Sequence, residues 1–281
     1  MKKHILRVSQ IRSYAAHLRI EERSQATIDK YLRDINAFAA WIRERPVTKE
    51  LVGQWKTELT DAGLAPATVN AKLSALNGLF RFLGWENCRV KFLKVQRQAF
   101  RDTARELTRA EYARLLEAAR RQGRTELELL METICATGIR VSEVKYITVE
   151  AARRGRTEIR MKGKIRTILL PGKLCRKLIK YARGQKIASG EIFLAGDGKP
   201  VSRYRIWQEM KSLCAAAGVE PSRVFPHNLR HLFATVFYQA TRDIAKLADI
   251  LGHSSINTTR VYLLTTGTEH IREMERLGLI C

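Results

Sequence analysis

The sequence predicts a mainly α-helical chain of two domains, the second of which contains a small β-sheet. Three observations support this prediction. Apolar residues recur at three- and four-residue spacing over the first ninety positions, as they do on the buried face of a helix. A new helix start follows a basic stretch near residue 106. The apolar spacing changes to two only between residues 157 and 170, which indicates β-strands.

The first 88 residues are predicted to form a compact domain of four short helices. Apolar residues such as Ile11 and Leu18 line one face of the first helix. Ser24, Thr48 and Pro66 stand at the beginnings of the second, third and fourth helices. Ser and Thr cap free backbone N–H groups, and Pro suits the first helical turn. The predicted boundaries are 1–88 for this domain, 89–105 for a basic linker and 106–281 for the second domain.

The second domain begins with a pattern typical of a helix N terminus. Thr108 and Glu111 have the spacing at which each side chain satisfies a backbone N–H group of the other residue. Helices are predicted to continue to about Thr137. Two alternating runs, 157–161 and 166–170, then predict a β-hairpin with Lys162–Ile165 as its turn. The remainder of the chain is predicted to be helical again.

Charge is the first indication of function. The chain carries 51 Lys and Arg residues against 28 Asp and Glu residues, a formal net charge of +23. Such an excess predicts a polyanionic partner, and nucleic acid is the foremost candidate. The sequence has no uninterrupted run of about 18 apolar residues, so a membrane span is not predicted. Its five cysteines form no CxxC pair, which favours reduced thiols in a cytoplasmic protein.

Four separated segments carry residue types suited to chemistry on a phosphodiester. They are ATGIRVSE (136–143), the hairpin turn that begins at Lys162, PHNLRH (226–231) and LGHSSINTTRVY (251–262). Guanidinium groups pair with phosphate oxygens and stabilise the negative charge that accumulates during attack, so no metal ion is required. A tyrosine hydroxyl attacks phosphorus once its proton is removed, and a lysine can protonate the departing oxygen.

These segments resemble, in order and spacing, the motifs of the tyrosine recombinase family, which includes phage integrases and Xer-type resolvases. The resemblance extends over about residues 107–265, and the N-terminal helices are similar in layout to the family's core-binding domain. It implies an α+β catalytic domain that cleaves and rejoins DNA strands through a 3′-phosphotyrosine intermediate, with no cofactor and no metal. Double-stranded DNA is the implied partner. Four protomers are implied in the synaptic complex, and the free protein is expected to be a monomer.

The resemblance also implies a role for each matching position. Arg140 and Arg230 hold the phosphate of the cleaved bond. His227 is the general base or a phosphate ligand, and His253 is a further donor to the transition state. Tyr262 is the nucleophile.

The general acid is predicted to be Lys162. The family commonly has Lys-Gly-x-Lys-x-Arg at this hairpin. This chain has the shorter run from Lys162 to Arg166, so Lys164 is an alternative general acid. Glu143 matches an acidic position that supports the site, or it is only a favourable charge at a helix N terminus.

Several other interpretations are open at this point. His227 and His231 have a spacing found in zinc sites, but no third ligand accompanies them, so His231 is interpreted as a supporting or packing residue. A type IB topoisomerase or a telomere resolvase would use the same chemistry. A catalytically silent DNA-binding regulator would lack a key residue, and a metal-dependent nuclease would need clustered carboxylates. The apolar stripe of residues 271–277 could pack on its own domain or on a neighbouring protomer.

Overall fold

The computed structural model describes residues 4–94, 105–161, 164–196, 198–253, 255–263 and 274–277. The chain divides into two compact units, Met1–Arg97 and Gln98–Cys281, and each has a hydrophobic core of its own. Regular structure is mostly helical, with a two-stranded antiparallel sheet in the second unit. The predicted fold class, mainly α with a small β-sheet, is therefore confirmed. None of the described helices is both long and apolar enough to cross a bilayer.

The first unit is built from four helices and a short 3₁₀ segment. They are α1 (Val8–Ile20), α2 (Gln25–Ile42), α3 (Lys49–Asp61), α4 (Pro66–Phe82) and the 3₁₀ segment Glu86–Cys88. Their apolar stripes meet in a core that includes the fully buried Ile35, Phe38 and Phe80. The ring of Phe38 stands edge-on to that of Trp55, with centroids 5.1 Å apart, a favourable aromatic geometry. This core joins α2, α3 and α4.

The helix starts in the first unit follow the prediction, with one difference in detail. The Thr48 hydroxyl accepts a hydrogen bond from the backbone N–H of Leu51 at 3.1 Å, as an N-cap does. Pro66 is the first residue of α4. Ser24 occupies the N-cap position of α2, but its hydroxyl lies 2.8 Å from the Thr27 hydroxyl and does not cap the backbone. The second helix therefore begins where predicted without the predicted side-chain cap.

The beginning of the predicted linker is bound to α4. The Asn77 amide exchanges hydrogen bonds of 3.0 and 3.2 Å with the backbone of Val90. The Asn70 amide does the same with Leu93, at 3.0 and 2.8 Å. Asn70 and Asn77 lie two helical turns apart, so both project from one side of α4. Residues 89–94 thus pack on the first unit, and 95–104 lie outside the described residues.

The second unit consists of helices and one β-hairpin. Its helices are α5 (Arg109–Arg121), α6 (Thr125–Thr137), α7 (Val149–Arg154), α8 (Gly172–Gly184), α9 (Arg203–Ser212), α10 (Cys214–Ala217), α11 (Pro226–Thr241), α12 (Ile244–Leu251) and α13 (Ile256–Thr259). Short 3₁₀ segments occur at Val141–Tyr146, Pro221–Arg223 and Arg260–Leu263. Strands β1 (Arg156–Met161) and β2 (Lys164–Leu169) lie between α7 and α8 in the sequence. Helices α6 and α11 pack against each other.

The predicted capping box at the start of the second unit and the predicted hairpin turn can both be compared with the structure. The predicted capping box is present, because Thr108 and Glu111 each accept the other's backbone N–H, at 3.2 and 2.8 Å. The hairpin turn differs from the prediction. Strand pairing continues to the pair Met161–Lys164, so β2 begins at Lys164. The predicted turn, Lys162–Ile165, is therefore wrong in length, because the ladder takes its last two residues into the strand.

Candidate active site

Arg230 is held between the ends of two helices. It lies one turn into α11, and its side chain is 2% exposed. Its Nη1 donates to the carbonyl oxygen of Gly138, and its Nη2 donates to that of Leu251 at 2.9 Å. These carbonyls end α6 and α12, where backbone oxygens have no partner in their own helix. The guanidinium thus satisfies two helix C termini, whose dipoles favour a cation.

Arg230 is a cation kept in a poorly solvated place. Desolvation lowers its pKa from 12.5 to about 10, and the positive charge of Arg140 acts in the same direction. The group remains charged at neutral pH. Its hydrogen bonds go to two carbonyl oxygens and to His253, and no carboxylate among the described residues pairs with it, so this buried cation is suited to receive an anion.

Two glycines permit the close packing around this arginine. Gly138 and Gly252 follow α6 and α12 with φ values of +64° and +63°, a left-handed conformation that favours glycine. A Cβ on Gly138 would overlap the ring of Phe233, and one on Gly252 would overlap Cδ of Arg166. Both helices therefore end in residues that cannot carry a side chain without displacing a neighbour.

Glu143 is a buried carboxylate shared by two arginines. It is 3% exposed and lies in the first turn of the 3₁₀ segment Val141–Tyr146. It accepts hydrogen bonds from Nη1 and the backbone N–H of Arg140, at 3.0 and 2.8 Å. Nη1 of Arg166 donates to both of its oxygens, at 3.1 and 2.8 Å. Glu143 therefore orients the Arg140 side chain, which remains 44% exposed and can reach a ligand.

Arg166 connects the hairpin to the segment before His253. It lies on β2, is 11% exposed, and its Nη2 donates to the carbonyl oxygen of Ile250 at 2.7 Å. Burial away from water lowers the pKa of Arg166, and the negative charge of Glu143 opposes that shift. The side chain thus joins β2, α12 and the segment that contains Glu143. The sequence pattern assigned no role to Arg166, although it is the final residue of the hairpin motif.

His253 makes a hydrogen bond through each ring nitrogen. Its Nε2 lies 2.9 Å from Nη2 of Arg230, and its Nδ1 lies 2.8 Å from the Thr259 hydroxyl. An arginine N–H can only donate, so Nε2 is the acceptor and the ring is neutral. Desolvation lowers the pKa of His253 to about 4, and the positive charge of Arg230 acts in the same direction. The geometry and the pKa direction agree on a neutral imidazole.

Tyr262 lies in the 3₁₀ segment Arg260–Leu263, with its side chain among the candidate site residues. It is 5% exposed. Its ring stands edge-on to that of His231, with centroids 4.9 Å apart, and is stacked on His253 at 6.3 Å with an interplanar angle of 14°. Tyr262 is also among the groups that affect the pKa of Arg230. The segment therefore brings the phenol to two imidazoles and a guanidinium.

His227 and His231 both lie on α11 but differ in their surroundings. His227 is exposed, and its pKa is lowered first by partial desolvation and then by Arg230 and Arg140. His231 is half-buried, and its Nε2 lies 3.8 Å from a carboxylate oxygen of Glu106. Among the described residues no group of three or more His, Cys, Asp or Glu side chains is arranged to hold a metal ion. The described structure thus provides no third ligand for a zinc site at this pair.

The structure describes only one of the two candidate general acids, Lys162 and Lys164. Lys162 lies outside the described residues. Lys164 is the first residue of β2, opposite Met161 on β1. The choice between these two lysines stays a prediction.

The match to known families covers both units. Residues 105–267 match the model described as the phage integrase family, and residues 11–87 match that of the phage integrase N-terminal SAM-like domain. The chain belongs to the phage integrase family. The predicted resemblance to tyrosine recombinases is confirmed with it.

Curated relatives of this integrase-family chain match it over most of its length. Tyrosine recombinase XerD from Vibrio cholerae is 25% identical over 270 residues, which cover 89% of each chain. Tyrosine recombinase XerD from Brucella suis is 30% identical over 267 residues, covering 85% of this chain and 86% of the relative. A structure of a lambda integrase dimer bound to a COC′ core site has a TM-score of 0.75 at 20% identity, covering 94% of this chain and 96% of that one. That structure supports the fold alone.

Arg166 is the residue of this integrase-family site whose loss we expect to affect stability most directly. Arg166→Met removes one of two cations from the buried Glu143. Breaking a buried ion pair costs about 3–5 kcal/mol, and Arg140 remains as a partner. We therefore expect the free energy of unfolding to fall by about 2–3 kcal/mol, measured by urea denaturation.

Two further variants control this prediction. Arg121→Met breaks an exposed pair with Glu117 and should cost less than about 1 kcal/mol. Adding Glu143→Gln to Arg166→Met removes the buried carboxylate charge that Arg140 alone then compensates, and should restore part of the loss. If the free energy of unfolding falls equally in Arg166→Met and Arg121→Met, the buried ion pair contributes no more to stability than the exposed one.

Proposed function

We propose that this chain is a site-specific DNA recombinase that cleaves and rejoins DNA strands through a 3′-phosphotyrosine linkage at Tyr262. The observation that carries the proposal is the position of the Tyr262 ring against His231 and His253, beside the charge of Arg230. A phenol in a field of cationic and imidazole groups is suited to lose its proton and attack phosphorus. Membership of the integrase family supports the same reaction.

The proposed reaction exchanges one phosphodiester for another. The Tyr262 oxygen forms a bond to phosphorus while the bond from phosphorus to the 5′-oxygen breaks. The phenolic proton passes to a base, for which His227 is the candidate, and Lys162 gives a proton to the departing 5′-oxygen. A 5′-hydroxyl of the partner strand then attacks the phosphotyrosine and reverses these steps. The phosphotyrosine linkage preserves the energy of the broken phosphodiester bond, so strand exchange needs no ATP.

The cations of the site stabilise the charge that develops at phosphorus. Arg140 and Arg230 are proposed to hold the two non-bridging oxygens, and His253 is proposed as a further donor. Glu143 supports Arg140 through two hydrogen bonds. His231 packs against the nucleophile and is proposed to have a supporting role. These cations provide the charge stabilisation without a cofactor.

Double-stranded DNA is the proposed partner. The net charge of +23 favours a polyanion. Similar proteins have been solved on DNA, among them an XerH site-specific recombinase bound to its difH substrate and a lambda integrase tetramer bound to a Holliday junction. We infer a tetramer in the synaptic complex and a monomer in free solution, on the family resemblance. The cytoplasmic location likewise stays a prediction.

The alternative functions are less well supported. The curated relatives named above are tyrosine recombinases, which favours a recombinase over a type IB topoisomerase or a telomere resolvase. A catalytically silent regulator is disfavoured because the predicted arginines, histidines and tyrosine are all present in the sequence. Among these residues Arg230, His253 and Tyr262 lie together in the structure.

The proposed function is tested by trapping the covalent intermediate without metal. A binding site is first selected from a pool of random duplexes and then nicked one or a few bases from the cleavage position, so that the short product diffuses away. We expect an SDS-resistant protein–DNA adduct to form in EDTA, and mass spectrometry to locate the nucleotide on Tyr262. Because cationic side chains stabilise the charge, magnesium should not change the rate. Absence of any adduct, or a strict requirement for magnesium, would overturn the proposal.

A further inference from the structure

Thr259 links two residues of the proposed site that lie in separate short segments. It is the last residue of α13, its side chain is fully buried, and its hydroxyl lies 2.8 Å from Nδ1 of His253. The 3₁₀ segment that carries Tyr262 begins at the next residue. One buried hydroxyl therefore connects the imidazole of His253 to the chain that bears the proposed nucleophile.

The hydrogen bonds around His253 determine which nitrogen carries the proton. Nη2 of Arg230 donates to Nε2, because a guanidinium has donors only. A neutral imidazole with a lone pair on Nε2 has its proton on Nδ1, so Nδ1–H donates to the Thr259 oxygen. Thr259 is thus the acceptor that matches this tautomer. The lowered pKa of His253 is consistent with a neutral ring in the free protein.

The orientation of the ring has a consequence for the reaction. With Nδ1 held by Thr259, Nε2 is the nitrogen that faces Arg230, the proposed phosphate ligand. When an anionic phosphate accepts the Arg230 N–H, Nε2 is released from that bond, takes up a proton from solvent and becomes a donor to the phosphate. A half-turn of the ring about the Cβ–Cγ bond would put Cε1 in place of Nε2 and Cδ2 in place of Nδ1, so both hydrogen bonds would be lost. The hydroxyl of Thr259 opposes that rotation.

We propose that Thr259 is a positioning residue: by accepting the Nδ1–H of His253 it keeps Nε2 directed at Arg230 and, together with Arg230, holds the ring in the Nδ1–H tautomer. This inference rests on the proposed function, since it concerns the same site. It gives Thr259 a task distinct from that of its exposed neighbour Thr258. It also means that the Tyr262 segment and the His253 ring are placed by one shared contact.

The matched variants are Thr259→Val, Thr259→Ser and Thr258→Val. Val keeps the β-branched shape and removes the acceptor, Ser keeps the hydroxyl, and Thr258→Val makes the same chemical change at an exposed position. In Thr259→Val we expect adduct formation on the nicked substrate to slow by roughly 10–100-fold, as when a partner that orients an imidazole is removed. DNA affinity should stay unchanged. Thr259→Ser and Thr258→Val should react at close to the normal rate.

A second measurement reports on the ring and does not depend on cleavage. The ¹⁵N chemical shifts of His253 in the free protein should show the Nδ1–H tautomer in the parent chain and in Thr259→Ser. Thr259→Val leaves Nδ1–H buried without an acceptor, so the ring should turn away from Arg230 and show a mixture of tautomers or the Nε2–H form. If Thr259→Val fails to fold, Thr259→Ala takes its place against Thr259→Ser.

The two measurements separate the possible failures. A Val variant with an unchanged tautomer overturns the positioning role, whether cleavage slows or not. An altered tautomer with a normal cleavage rate also overturns it, because the orientation would then have no effect on the reaction. If the parent chain forms no adduct at all, the proposed function fails, while the shifts still decide whether Thr259 selects the tautomer.

Discussion

Replacing Tyr262 by Phe is expected to abolish covalent protein–DNA adducts completely. The variant lacks the oxygen that forms the bond to phosphorus, and no other group in the proposed mechanism takes that role. It keeps the aromatic ring that packs against His231 and His253, so the fold of the site should be retained. DNA affinity should also be unchanged, because arginines and the basic surface hold the phosphates. The measurement is SDS gel electrophoresis after incubation with a nicked substrate.

Tyr238 provides a matched control for this experiment. It is a half-buried tyrosine on α11 that packs on the same small hydrophobic cluster as Tyr262. Tyr238→Phe removes a hydroxyl from the same region and should form adducts at the normal rate. An SDS-resistant adduct that persists in Tyr262→Phe would show that the nucleophile is another residue.

Replacing Lys162 by Ala is expected to slow strand cleavage by roughly 10²–10⁴-fold, the usual contribution of a general acid. An alkoxide is a poor leaving group, so the 5′-oxygen depends on a proton from the enzyme. A substrate with a 5′-phosphorothiolate bridge has a sulfur leaving group that departs without protonation. That substrate should restore much of the rate to Lys162→Ala. The measurement is the rate of adduct formation on the two substrates.

Two other variants give this test its controls. Arg140→Ala should gain no comparable rate from the sulfur substrate, because its defect lies in charge stabilisation at phosphorus. Lys164→Ala should behave nearly normally on both substrates if it only contacts the DNA backbone. Lys164 begins β2 in the structure, directly after the two residues that separate the strands. If the sulfur substrate restores the cleavage rate of Lys164→Ala but not that of Lys162→Ala, the general acid is Lys164 and not Lys162.

Much of the fold could be predicted from local patterns. Thr48, Pro66 and the Thr108–Glu111 pair start helices as predicted, because capping depends on groups within one turn of the same chain. The hairpin was predicted for a similar reason, since alternation identifies a strand. Its turn length was not, because the end of a ladder depends on pairing between two strands. The binding of residues 89–94 to α4 by Asn70 and Asn77 was also not predictable from local pattern.

The sequence by itself determined the fold class and the chemical character of the candidate site. Helical periodicity, the basic charge, and arginine, histidine and tyrosine in ordered segments are all properties of the chain read in one dimension. The tertiary structure alone decided which groups hold the site together. Arg166 reaches Glu143 and Ile250, and Arg230 joins the ends of α6 and α12, across long separations in sequence. Such contacts require the packed core to bring distant backbone carbonyls and buried charges within hydrogen-bond distance, and no local pattern encodes them.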